Sequence, residues 1–183
     1  MSIAIYSDFD GVFNIKKTKN TRSIGVKTQD TEFLAPLSFV HWNPYVVVRM
    51  KEFLSSGDYE FIWHTTWNHG NNSKNAANSI GLLGLGNQSP ARLNAKAVDK
   101  REWTQWKAEY IVQDQKRNPR PFIWIDDHAP LYWTELVEKN TQSPSKILLT
   151  NSETGLTLDE IDGLAEWVKH EAMGASDELL DAV

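Results

Sequence analysis

The chain has 183 residues, 40% hydrophobic and 23% charged, with a net charge of −5 and no cysteine. That length supports one domain with a substantial core, and the acidic balance argues against broad coating of nucleic acid. The missing cysteines exclude disulfides and thiolate metal sites, and no apolar run approaches the roughly 18 to 20 residues of a membrane span.

Taken in chain order, the N-terminal MSIAIYSDFDG has no basic region ahead of its apolar stretch, so it does not read as a signal peptide. With the absence of cysteine, this fits a cytoplasmic protein. Residues 3–7 (IAIYS) form a short apolar run ending at an Asp, the pattern of a buried strand in a parallel sheet. Residues 15–38 are polar and aperiodic and carry Lys16, Lys17, Lys19, Arg22 and Lys27; we read them as a hairpin or flap. Asn43 and Pro44 start a helix as N-cap and first helical residue. It runs to about Ser55 and closes at Gly57. Residues 59–64 (YEFIWH) are a second strand, followed by a polar loop and a helix near 73–80. Residues 81–97 read as irregular.

A helix is predicted at about 99–115, with Trp103, Trp106 and Tyr110 as an apolar stripe. Asn118 to Pro121 breaks it. Residues 122–126 (FIWID) are a third strand, 130–139 a short helix and 146–149 (KILL) a fourth strand. The last helix spans 157–170, with Thr157 as N-cap and Glu160 as its capping-box partner. Strands alternating with helices give an α/β domain with a mainly parallel sheet. We take residues 1–172 as that domain, with a flap insertion at about 15–38, and 173–183 as an acidic, frayed tail.

In such sheets ligands bind beyond the carboxyl ends of the strands. There stand Asp8, Thr65, Asp126 and Asp127. Asp8 and Asp10 are two residues apart just past a strand, and side chains at i and i+2 of an extended segment point the same way. Like charges so close repel unless something positive sits beside them. Gly11 allows the tight turn that follows. Asp126 and Asp127 at the end of FIWI carry the same repulsion together with a desolvation cost. A divalent cation with a preference for oxygen would relieve both pairs, and Mg²⁺ suits them. Each pair alone also reads as a solvated or helix-capping turn; the two together favour a metal site.

DFDGVFN at residues 8–14 resembles the first motif of the haloacid dehalogenase (HAD) superfamily. FIWHT resembles its second motif, an apolar strand ending in Thr. Lys107 resembles the motif-three lysine, with Lys100 and Lys96 as neighbouring alternatives. WIDD resembles the fourth motif in its DD form. IWHTTW, IWIDD and the ending GLT…LAEW are also similar to a group of small bacterial and phage HAD-like proteins.

The resemblance implies a Rossmann-like HAD fold with a minimal cap and a phosphatase that acts through an aspartyl-phosphate. Asp8 would be the nucleophile, and Asp10 the general acid and then the general base. Thr65 would donate a hydrogen bond to the phosphoryl group, and Lys107 would place positive charge on it. Mg²⁺ would be held by Asp8, by the main-chain carbonyl of Asp10, and by Asp126 or Asp127, with Mn²⁺ as an alternative ion. Gly11, Asn14, Thr66 and Trp67 would stand on the substrate side.

The acid at position 10 favours a hydrolase or phosphotransferase over a dehalogenase. A capless site suits a large substrate, such as a nucleic-acid end, or a phosphorylated small molecule shielded by a partner chain, so a dimer is possible. The basic flap over the site fits a nucleic-acid end, although it also reads as an ordinary solvated loop. Trp67 reads either as a stacking surface for substrate or as packing. His64, His69 and His128 offer a zinc alternative, weakened because His64 should face away from Thr65. Two further readings are a phosphatase component of nucleic-acid repair and a non-catalytic domain that keeps the fold.

Overall fold

The computed structural model describes residues 2–28, 37–68, 70–82, 84–89, 100–129 and 131–172. The expected tail at 173–183, part of the flap (29–36), His69 and Lys96 lie outside the described residues, as does the Lys100 side chain. The chain runs β1 (Ile3–Ser7), β2 (Arg22–Lys27), β3 (Leu37–Trp42), α1 (Pro44–Ser55), β4 (Tyr59–Trp63), α2 (Asn72–Ser79), β5 (Asn87–Gln88), α3 (Lys100–Arg117), β6 (Phe122–Asp126), α4 (Leu131–Asn140), β7 (Ser145–Leu149) and α5 (Leu158–Trp167). A π-helical turn at Val168–Ala172 follows α5.

Five strands form one parallel sheet in the order β5-β4-β1-β6-β7. The apolar runs explain the centre of that order. Every residue of β1 and β6 is buried, as unbroken apolar strands covered on both faces must be. Alternate side chains feed two cores. Ile3, Ile5, Phe61, Trp63, Ile123 and Ile125 meet α1, α2 and α5 on one face. Ala4, Tyr6, Ile62, Phe122 and Trp124 meet α3 and α4 on the other. The result is an α/β fold of the Rossmann-like HAD type.

The helix starts follow local chemistry. The Asn43 side chain accepts from the Tyr45 N–H with Pro44 at the first helical position, and Thr157 with Glu160 forms a reciprocal capping box. Other features differ from expectation. The flap is a two-stranded antiparallel hairpin whose second strand continues to Trp42, because Val40 and Trp42 join Val26 in the core. A two-residue strand, β5, lies within the stretch read as irregular. The buried face of α3 is Thr104, Lys107, Ala108, Ile111 and Gln115, rotated from the aromatic stripe; Trp106 and Tyr110 sit half-buried beside it, and the Trp103 side chain lies outside the described residues. Among the described residues no helix is long and apolar enough to cross a membrane.

Candidate active site

The site sits where β4, β1 and β6 end side by side. Past Ser7 the chain turns sharply. The Phe9 carbonyl accepts from the N–H groups of Phe13 and Asn14 at 3.0 and 2.9 Å. Gly11 makes that turn at φ +66, and a Cβ there would lie 2.1 Å from Cγ of Asp127. Gly11 is therefore needed on two grounds: L-residues disfavour this backbone conformation, and Asp127 occupies the space a side chain would fill. The turn is pinned by the Thr150 hydroxyl, which donates to the Gly11 carbonyl at 2.7 Å.

This turn holds Asp8 nearly buried, its Oδ1 accepting from the Phe9 N–H at 2.6 Å and its Oδ2 from Lys107 Nζ. Lys107 reaches from the core face of α3 and is only 3% exposed. Its ammonium also donates to Asp126 Oδ2 at 2.7 Å. Asp126 exposes no surface. Its Oδ2 also accepts from Trp124 Nε1 at 3.2 Å and its Oδ1 from the His128 N–H at 2.9 Å. Asp127 stands half-buried alongside. Ligand atoms of Asp8, Asp126 and Asp127 lie within 4.8 Å of one another.

One ammonium against three carboxylates leaves the centre with excess negative charge, and the protonation balance reflects that. Burial alone would push the Lys107 ammonium down, but Asp126 and Asp8 outweigh it and hold it above its ordinary value. Burial raises Asp126 in spite of Lys107, with Asp8 adding to the effect. Asp127 is pushed up to about 6, by burial first and then by Asp8 and Asp126. The two directions agree physically, because the lysine is satisfied while its carboxylates remain under-compensated. A hard divalent cation is the ligand that such an oxygen cluster fits.

Asp10 stands outside that cluster. Asn14 Nδ2 donates to its Oδ1 at 2.7 Å and Trp67 Nε1 to its Oδ2 at 2.8 Å. The side chain stays open to solvent at the rim of the site. The protein crowded about it and the nearby Asp8 charge raise its pKa all the same.

A family model described as the HAD domain in Swiss Army Knife RNA repair proteins matches residues 4–161. The chain belongs to this family. No curated protein and no solved structure matches it.

In this HAD domain, several side chains named from the sequence have a different neighbourhood from the one expected. Trp67 offers no stacking face: it is 2% exposed, its ring packs 5.0 Å from that of Phe9, and only its N–H reaches the site, at Asp10. Asn14 and Gly11 shape the site from within, Asn14 by holding Asp10 and Gly11 by making room for Asp127. Thr65 is wholly buried; its hydroxyl oxygen accepts from the Trp67 N–H at 3.3 Å, which leaves its own proton to donate. Thr66 is half-buried.

The histidines do not gather into a zinc site. Among the described residues, the one group able to hold a metal contains carboxylates only. His64 is fully buried on the far side of β4, with Nε2 at 3.0 Å from the Lys107 main-chain carbonyl and Nδ1 at 2.8 Å from Ser89 Oγ. A carbonyl only accepts, so Nε2 carries the proton and Nδ1 accepts from the Ser89 hydroxyl. Burial, reinforced by the Lys107 charge, pushes His64 down to about 3 and keeps it neutral. The His64 and Trp67 bonds were not foreseen. Strand parity pointed to the direction of His64, but nothing in the sequence announced its partner.

Proposed function

We propose that this HAD domain is a Mg²⁺-dependent phosphomonoesterase acting on a phosphorylated nucleotide or nucleic-acid end, with an RNA end favoured by its family. The observation that carries the reading is Asp8, locked at the carboxyl end of β1 between the Phe9 N–H and the Lys107 ammonium, within 4.8 Å of two further carboxylates. A carboxylate so held is oriented for attack on phosphorus without rearrangement.

In the first step an Asp8 oxygen bonds to phosphorus as the bond from phosphorus to the leaving oxygen breaks, giving an aspartyl-phosphate. Asp10 delivers a proton to the leaving oxygen. Its raised pKa supports that role, and the Asn14 and Trp67 donors fix its direction. In the second step Asp10 takes a proton from water, and the water attacks phosphorus to free phosphate and regenerate Asp8. Lys107 places positive charge beside both the nucleophile and the transferred group, and the Thr65 hydroxyl donates to a phosphoryl oxygen.

Mg²⁺, held by Asp8, Asp126, Asp127 and the Asp10 main-chain carbonyl, would lower the repulsion between Asp8 and an anionic phosphate; oxygen ligands also admit Mn²⁺. Asp127 is the more available of the adjacent pair, because Lys107, Trp124 and the His128 N–H already engage Asp126.

The test is hydrolysis of an aryl phosphate and of 5′- and 3′-phosphorylated oligoribonucleotides, with and without Mg²⁺, by the parent and by Asp8→Asn. Metal-dependent turnover that disappears in Asp8→Asn is expected. No turnover of any of these by folded protein with Mg²⁺ or Mn²⁺ would sink the reading in favour of a non-catalytic domain.

A further inference from the structure

The β2–β3 hairpin has two unlike faces. Its inner face puts Val26, Val40 and Trp42 into the core. Its outer face carries the cross-strand pairs Ser23–His41, Gly25–Phe39 and Lys27–Leu37, since alternate residues share a face. On that face Phe39 is 63% exposed and Leu37 52%. A Cβ at Gly25 would meet Leu37 Cδ1 at 3.2 Å and Phe39 Cε1 at 3.7 Å. The two apolar side chains thus lean over a glycine and form a shelf with an aromatic ring in solvent.

The charge around this shelf is one-signed. Residues 15–28 and 37–42 contain Lys16, Lys17, Lys19, Arg22 and Lys27 and no acid, in a chain whose net charge is −5. All five cations are exposed. Lys16 is paired with Glu153 at 2.9 Å; Lys17, Lys19, Arg22 and Lys27 have no ion-pair partner among the described residues.

The shelf is also continuous with the catalytic turn. The His41 N–H donates to Asn14 Oδ1 at 3.0 Å, and the Asn14 amide donates to Asp10. The Ile15 N–H closes onto the His41 carbonyl at 2.8 Å. The base of the hairpin is therefore one side chain away from Asp10.

We infer that this outer face is the seat of a single-stranded RNA end, with Phe39 stacking on a base near the phosphorylated terminus and Lys17, Lys19, Arg22 and Lys27 following the backbone. The inference deepens the phosphatase reading and rests on it for the direction of the strand. Exposed aromatic rings beside unpaired cations are how proteins hold single strands without reading sequence. A second copy of the chain, or a protein partner, would have no use for four unpaired cations of one sign unless it were strongly acidic.

The test separates binding from chemistry. Affinity for a labelled, 3′-phosphorylated RNA of roughly ten nucleotides, long enough to span one such site, is measured by fluorescence anisotropy in the Asp8→Asn background. Adding Phe39→Ala should weaken binding about tenfold, the usual worth of one stacked base, and Phe39→Trp should restore it. Adding Lys17→Gln, Lys19→Gln and Arg22→Gln together should flatten the slope of log affinity against log salt by about 2. With Asp8 intact, Phe39→Ala should leave aryl-phosphate turnover unchanged.

Full RNA affinity in Phe39→Ala overturns the inference. So does a loss of aryl-phosphate turnover equal to the loss in RNA binding, or a Phe39→Ala effect confined to self-association. Failure of the parent to hydrolyse any phosphate would instead strike the phosphatase reading, while the anisotropy result would still decide whether RNA sits on the hairpin.

Discussion

Replacing Lys107 by Met keeps the length of the side chain and removes its charge. In the parent that charge is shared between Asp8 and Asp126, and neither carboxylate has another cationic partner among the described residues. Removing one partner of a buried ion pair costs about 3–5 kcal/mol, because the remaining charge is left uncompensated. For a chain of this length, each kcal/mol shifts the melting temperature by about 2–4 °C. The metal-free Lys107→Met protein should therefore melt about 6–20 °C below the parent.

The sign of its pH dependence follows. Buried carboxylates whose folded pKa lies above the unfolded value bind protons preferentially when folded, so they destabilise at high pH and release that cost as pH falls. The deficit of the variant should shrink as pH is lowered from about 8 to about 6. Mg²⁺ should raise its melting temperature more than that of the parent, since the cation replaces the missing charge. Calorimetry at several pH values, with EDTA or with Mg²⁺, reads all three effects. A metal-free melting temperature within about 3 °C of the parent would refute the claim that Lys107 balances this cluster.

Three further outcomes follow from the site. Gly11→Ala must adopt φ +66 and displace Asp127; it should weaken Mg²⁺ binding at least about tenfold by titration calorimetry, beyond the roughly 1–2 kcal/mol stability cost of the backbone. His64 is held at about 3 against an ordinary 6.5, so below pH 6.5 the unfolded chain binds a proton that the folded chain refuses. Stability should therefore fall by about 2 kcal/mol between pH 6.5 and pH 5, and denaturant titrations of His64→Gln should lack that part of the slope. Trp67→Phe keeps the packing against Phe9 and deletes the donor to Asp10; steady-state kinetics should show kcat down about tenfold with KM little changed, the scale of one hydrogen bond to a charged group.

What was legible in the sequence lies where apolar strands meet acids. IAIYS and FIWID announce buried central strands, and Asp8, Asp126 and Asp127 follow because strand ends converge in a parallel sheet. The alternation of strands and helices likewise carried the layer order. The buried face of α3 was not legible, because three of its members, Thr104, Lys107 and Gln115, are polar. Hydropathy assigns such residues to solvent, and only partners elsewhere in the chain, such as Asp8 and Asp126 for Lys107, make their burial tolerable. Trp67 misled for a related reason: an indole is large enough to suggest stacking, whereas its role is set by an N–H that finds Asp10 far away in sequence. A strand as short and polar as Asn87–Gln88 has no periodicity to read; it exists because Ile62 and Trp63 offer it an edge.

The space left by the missing Gly11 side chain is the space Asp127 fills, and the same turn is closed by Thr150 on the Gly11 carbonyl and by the Leu156 N–H on the Val12 carbonyl. The residues that start the acidic centre are thus shaped by residues that leave the ribosome much later. A chain still under synthesis, with β1 made but β6 and the segment after β7 not yet emerged, has Asp8 and Asp10 in hand and no means of setting them. Phosphate chemistry is in this way deferred until the domain is almost whole, and no N-terminal fragment ending before Leu156 should carry it.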